Sequence, residues 1–271
     1  MRIQATDLHL EATLESGQVF GYERCADGSY RGTLRGKRIT LSARGPALTV
    51  TGPVLPTARE VRDYLDLERD LSPVYAWLRD DPRLRPTLAA YRGLRLIRQD
   101  PWEALACFIL SSNNNVKRIQ LMHARLSASL GAGAFPAASA IARCHERTLR
   151  DIGLGYRAPY LQRSATYVAN NPHALETIRS ADFEEARALV SSYPGIGPKV
   201  ADCVLLYGFG RYEAFPVDVW MLRVMRSLYF KGRRVSGERV YREAQKRWGK
   251  WAGYVQQYLF HGARMGVLSV G

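Results

Sequence analysis

The chain has 271 residues, 46% of them apolar and 24% charged, with a formal net charge of +14. An apolar fraction of that size excludes global disorder, and the basic excess favours a polyanionic partner. The length suits one large domain or two modest ones.

Four cysteines, Cys25, Cys107, Cys144 and Cys203, are widely spaced. With no C-x-x-C and neither zinc nor iron–sulfur spacing, they are expected to be reduced thiols. No metal-ligand set and no required cofactor is expected. No stretch reaches transmembrane length, and the first residues lack the apolar core of a signal peptide.

Residues 1 to about 55 alternate in polarity. Leu8, Leu10, Ala12 and Leu14 fall on one side, and Tyr30–Leu41 and Ala47–Thr51 continue the pattern, broken at glycines. This predicts an antiparallel sheet. Ser16-Gly17-Gln18-Val19-Phe20 reads as a turn between strands. From Thr57 the period becomes helical, with Thr57 and Glu60 spaced as a capping box ahead of Val61, Tyr64 and Leu65. Ser72-Pro73 opens another helix. Asp100-Pro101-Trp102-Glu103 is a cap, an N1 proline and an acid in order, and the apolar run after it predicts a buried helix. The expected division is 1–96, a sheet domain with flanking helices, and 97–271, a helical domain.

That buried helix ends at Asn113-Asn114-Asn115. A polar loop capping the next helix accounts for the asparagines; amides offered to base edges account for them equally well. Lys117 and Arg118 follow in the first turn, where cations oppose the helix dipole and so call for an anionic or base partner. Tyr156 and Arg157 sit in a later tight loop. An apolar ring beside a planar donor fork suits a gap in a base stack, and it also suits surface packing.

The densest stretch is Tyr193 to Trp220. Pro194, Gly195, Gly197 and Pro198 break two helical patterns into a hairpin. Backbone N–H groups of Gly195, Gly197 and Val200 at the second helix start are expected to hold a DNA phosphate. Lys199 falls in that helix's first turn, where a lysine is a candidate amine nucleophile, and Cys203 lies one turn on along the same face. Asp218 reads alone as a helix cap. Near the C-terminus, Gln256 and Phe260 stand at i, i+4, an amide beside a ring, as a base pocket requires.

The blocks QDPWEALACFILSSNNNVKRI, GLGYRAPY, PGIGPKVADC, PVDV and AGYVQQYLF, with the N-terminal SGQVF, resemble the 8-oxoguanine DNA glycosylase/lyase family of the helix-hairpin-helix Gly/Pro-Asp superfamily. They occur in family order and span most of the chain. The resemblance implies an α+β fold, with an N-terminal antiparallel sheet domain and a larger helical region holding the hairpin. It implies Lys199 as Schiff-base nucleophile and Asp218 as its acidic assistant. Cys203 and Phe260 would sandwich the flipped base, Gln256 would read its Watson–Crick edge, and the Gly17 carbonyl would accept from the N7–H that guanine lacks. Asn113, Arg118 and Arg157 would read the widowed cytosine, and Tyr156 would wedge the duplex. The implied partner is double-stranded DNA containing 8-oxoguanine, bound by a monomer, with a structural cation at the hairpin backbone. An alkylated-base glycosylase and a non-catalytic hairpin DNA-binding protein are the alternatives. The family pattern has histidine after Pro-Val-Asp-Val and an acid three residues after the pocket phenylalanine; here they are Trp220 and Ala263. Those departures bear on phosphate contact and substrate stringency, not on the lysine chemistry.

Overall fold

The computed structural model describes residues 1–269. Strands β1 (Arg2–Gln4), β2 (Glu23–Arg24), β3 (Tyr30–Leu34), β4 (Lys37–Arg44) and β5 (Ala47–Thr51) form an antiparallel sheet in the order β1-β5-β4-β3-β2. The β3–β4 turn has two residues, Arg35 and Gly36, both at positive φ, so Leu34 pairs with Lys37. That turn geometry matches the twist of paired strands. Ile39, Leu41, Leu48 and Val50 build the sheet's core. Val61 and Tyr64 from helix α2 (Ala58–Tyr64) join it. The capping box forms as its spacing predicts: Glu60 N donates to Thr57 Oγ1 at 3.2 Å, and Thr57 N to Glu60 Oε2 at 2.7 Å.

One N-terminal expectation is corrected. Leu10–Glu15 is a helix, α1, not a strand; the His9 ring accepts from Ala12 N at 3.2 Å and caps it. Leu10 and Leu14 join the sheet core, while Ala12 joins the helical core. A short helix buried on two opposite sides is apolar at alternate positions, which imitates the period of a strand.

The helical region follows: α3 (Ser72–Asp80), α4 (Arg85–Tyr91), α5 (Pro101–Leu110), α6 (Val116–Leu130), α7 (Ala138–Ala142) and α8 (Glu146–Leu149), then α9 (Ala158–Asn170), α10 (Ala174–Ser180), α11 (Phe183–Ser191), α12 (Pro198–Phe209), α13 (Val219–Tyr229), α14 (Gly237–Trp248) and α15 (Ala252–Arg264). Helix α5, capped by Asp100 and buried at every position from Ala104 to Leu110, packs against α12. Helices α3 and α4 lie before residue 96, yet they pack on α15, and Val74, Leu78 and Leu84 belong to the helical core. None of the helices described is long and apolar enough to cross a membrane.

The sheet and the helical region meet at Asp66, a residue at φ 49° whose side chain is 1% exposed. Its carboxylate accepts from Arg69, from Arg98 at 2.6 Å, and from the Tyr212 and Tyr254 hydroxyls at 3.1 Å each. Beside it, the buried Arg95 guanidinium donates to the carbonyls of Asp7, Asp66 and Arg69. A buried carboxylate is tolerable only with its lone pairs filled, and these four donors fill them. Replacing it strands the donors. Asp66→Ala is therefore expected to cost about 3–5 kcal/mol of unfolding free energy in a urea titration. A loss below about 1 kcal/mol would mean that apolar packing alone holds the joint.

Candidate active site

Helices α11 and α12 form the hairpin, with Tyr193–Gly197 between them. Gly195 has φ 78°, and a Cβ there would stand 2.6 Å from the Tyr160 ring, so only glycine fits. Gly195 and Gly197 are exposed. Gly197 caps α12 without a side chain, and Ala201 N makes the first bond, to Gly197 O at 3.0 Å. The N–H groups of Lys199 and Val200 precede that bond and point from the positive end of a helix, a fit for a phosphate. Next to this turn, Arg187 of α11 grips Asp202 of α12 at 2.7 and 3.1 Å and fastens the two helices together. Burial pushes the Asp202 carboxyl up to about 6, against the pull of that arginine.

Lys199, Cys203 and Tyr207 follow one another at four-residue steps along α12, making a single stripe. Cys203 is buried, one turn from Lys199, whose charge is felt at the thiol. Burial pushes the thiol up to about 11; Lys199 pulls it down and Asp218 pushes it further up. Cys203 is accordingly a neutral surface rather than a nucleophile. Asp218 does cap α13, its Oδ1 accepting from Met221 N at 2.7 Å. That bond also fixes the carboxylate close enough to the stripe for its charge to be felt at Cys203 and Tyr207.

Helix α15 carries the other two residues expected in a base pocket. Gln256 is buried, its Oε1 has no partner, and its Nε2 makes only a long 3.4 Å bond to Pro216 O. Phe260 is half-buried, and its ring edge is 3.4 Å from where a Gly17 Cβ would be. The N-terminal loop and the C-terminal helix thus touch, which joins Gly17 to Phe260 across 243 positions of sequence (260 − 17).

The asparagine loop and the Tyr156 turn form a second cluster. Asn115 caps α6 through Arg118 N at 2.9 Å, and Asn114 Nδ2 donates to Leu110 O. Asn113 is exposed at φ 47° and touches the Tyr156 hydroxyl at 3.4 Å. Tyr156 is 46% exposed, an open ring at the tip of a turn. The two arginines differ. Arg118 is exposed, and among the described residues its guanidinium makes no hydrogen bond or ion pair. Arg157 is buried, with its Nε donating to Ser112 O at 2.9 Å and its Nη2 to Ser112 O and Asn113 O. In this state Arg157 braces the asparagine loop, and Arg118 is the donor left open. Trp220 is exposed beside Asp218, whereas Ala263 is buried in α15. The sequence did not mark Gln257 and Arg264, which bond the loop around Gly17, nor Tyr207, which bonds Gln257.

Residues 1–105 match the family model of the 8-oxoguanine DNA glycosylase N-terminal domain, and residues 106–250 that of the HhH-GPD superfamily base excision DNA repair protein. A probable N-glycosylase/DNA lyase of Methanothermobacter thermautotrophicus is 34% identical, over 99% of this chain and 97% of its own. The N-glycosylase/DNA lyase OGG1 of Arabidopsis thaliana is 30% identical, over 96% of this chain and 78% of its own. The solved structure of the Clostridium acetobutylicum 8-oxoguanine glycosylase/lyase, in complex with double-stranded DNA containing cytosine opposite the lesion, superposes with a TM-score of 0.90. It is 29% identical and covers 98% of each chain.

The cysteines provide a check on this geometry. With a pKa near 11, only about a thousandth of Cys203 is thiolate at pH 8. Brief iodoacetamide treatment at pH 8 should alkylate the half-buried Cys25 and Cys144 and spare Cys203, as read by peptide mass spectrometry. Labelling of Cys203 as fast as Cys25 would show an open, ionised thiol and contradict its burial.

Proposed function

The chain belongs to the 8-oxoguanine DNA glycosylase family of the helix-hairpin-helix superfamily, and we propose that it flips 8-oxoguanine out of duplex DNA, excises it, and nicks the strand. Two contacts support this reading: Gly17 lies against the Phe260 ring, and Tyr207, on the stripe of Lys199 and Cys203, bonds Gln257 beside Gln256.

In this reading the flipped base lies between the neutral Cys203 thiol and the Phe260 ring. Gln256, buried with an unpartnered Oε1, finds its partner on the base's Watson–Crick edge. The Gly17 carbonyl accepts from the N7–H of the oxidised base. Guanine presents a lone pair at N7, which a fixed carbonyl repels, so one buried bond supplies the discrimination. The Lys199 amine attacks C1′, and the glycosidic bond breaks with its electron pair leaving on the base. Asp218, held by Met221 N, stabilises the positive charge that develops on the sugar. The nitrogen then loses a proton and C1′–O4′ breaks, opening the sugar to an imine that acidifies the C2′ proton; loss of that proton expels the 3′ phosphate. An alkylated-base glycosylase needs no amine at this position.

Two experiments test the reading. Lys199→Gln is expected to abolish base release and borohydride trapping, with DNA binding intact in a mobility-shift assay. Excision at near wild-type rate in that variant would remove the imine mechanism.

The second concerns Arg118. Unpaired cytosine presents acceptors at O2 and N3, and arginine only donates. Adenine places its N6 donor on the same edge. Arg118→Ala is expected to slow excision opposite cytosine by roughly 5- to 150-fold, about 1–3 kcal/mol, and excision opposite adenine much less. Single-turnover rates on the two duplexes decide it. Equal proportional losses would assign Arg118 to the backbone instead.

A further inference from the structure

We infer that Tyr207 and Gln257 are positioning residues that hold the Gly17 carbonyl in place for the lesion base. The inference rests on the reading of that carbonyl as the N7–H acceptor.

The loop around Gly17 is fastened one carbonyl at a time. Glu15 O accepts from Arg264, Ser16 O from Gln257 Nε2 at 2.9 Å, and Gln18 O from Gln99 Nε2 at 2.7 Å. The Gln18 side chain is fixed as well, its Oε1 accepting from Ile97 N at 2.7 Å. Among the described residues Gly17 O accepts nothing. Glycine at φ 80° has a soft backbone, so its peptide would rotate freely were its neighbours not held. Every carbonyl beside Gly17 is claimed, and the one that the chemistry needs is left open.

Gln257 is fully buried, and its amide has only one sensible orientation. Ser16 O is a carbonyl and can only accept, so the Gln257 nitrogen must face it. The Gln257 oxygen then faces Tyr207, whose hydroxyl must donate, and that bond is present. Tyr207 is placed in turn by stacking on Phe108, with centroids 5.2 Å apart. Phe108 meets Phe20, three residues past Gly17, edge to face. Burial holds the Tyr207 phenol well above its ordinary range, so it remains a donor throughout the working pH range.

Tyr207 lies two turns beyond Lys199 on the same stripe. A continuous path of hydrogen bonds therefore runs from the nucleophile's helix through Tyr207 and Gln257 to Ser16, and so to Gly17. It sets the base-reading carbonyl relative to the amine that attacks the sugar. A plain core would fill these positions with apolar side chains, since burying a tyrosine–glutamine pair costs desolvation for little net stability. The polar pair is accounted for if a backbone carbonyl has to be held still.

Gln257→Met keeps the length of the side chain and removes the amide. Tyr207→Phe keeps the ring packing and removes the hydroxyl. For each variant and the double, single-turnover base release from an 8-oxoguanine·cytosine duplex is compared with strand nicking at a preformed abasic site. Nicking uses Lys199 without reading a base. Gln257→Met should slow base release by roughly 5- to 150-fold and leave abasic-site nicking within about twofold. Tyr207→Phe should act in the same direction but more weakly, and the double variant should be no slower than Gln257→Met, because the two act as one unit. Equal losses in both reactions, or unchanged base release, overturn the inference. If Gln257→Met does not fold, Tyr207→Phe carries the same comparison alone. A wild-type protein that nicks abasic sites but releases no 8-oxoguanine overturns the substrate reading, and this inference with it.

Discussion

The buried Asp66 carboxylate is the point on which the site depends. Gly17 lies in a loop on the sheet side of the molecule, and Phe260 lies on the last helix. Their contact exists only if the two regions meet at one fixed angle. Asp66 sets that angle by receiving arginines from its own turn and from the strand-like segment before α5, and hydroxyls from Tyr212 and Tyr254 in the C-terminal half. A carboxylate taken out of water is a demanding partner: it accepts only arrangements that satisfy all its lone pairs. Apolar faces slide and repack more easily, because their attraction is not directional. The directional joint therefore fixes the relative placement of the two halves, and the apolar cores around it supply the bulk of the stability.

The pocket shows a similar division of labour among charged and neutral groups. Lys199 and Asp218 are both close enough to act on the Cys203 thiol, which stays neutral between them. Burial keeps the thiol protonated, so Cys203 is polarisable and uncharged, as the proposed contact with an aromatic base requires. Asp218 combines its two readings: its bond to Met221 N makes it a helix cap and also removes the side-chain freedom that would blur its position at the sugar. The cap bond makes the helix start a rigid place to mount the proposed acid.

Much of the fold could be read from local signals. The Thr57–Glu60 box, the Asp100 cap, the Asn115 cap and the hairpin glycines each stand where their spacing predicts, because caps and turns are decided within a few residues. Helix α1 was concealed, since Leu10 and Ala12 serve different cores and their alternation mimics a strand. Tyr207 and Gln257 left no trace either. A buried tyrosine and a buried glutamine carry no periodic signature, and their meaning lies in Ser16, 241 residues from Gln257 along the chain. The resemblance gives Arg157 to the widowed cytosine, and in the folded chain its guanidinium donates to Ser112 O and Asn113 O. Local pattern identifies which residues are polar and poised; only the tertiary fold decides which of them are already occupied.

The Gly195 contact has a mechanical consequence. The hairpin turn sits directly on the Tyr160 ring, with no room for a side chain between them, and Tyr160 lies edge-on to Tyr156, with centroids 6.3 Å apart. In the proposed complex the phosphate grip and the wedge are therefore two jaws of one caliper, joined through Tyr160. A caliper of fixed gap measures the duplex in whole base steps. When the grip closes on one phosphate, the wedge is aimed at one stack, and a slip of a single nucleotide moves both together. Register along the DNA thus belongs to the protein's frame, independent of the chemistry of whichever base is tested there.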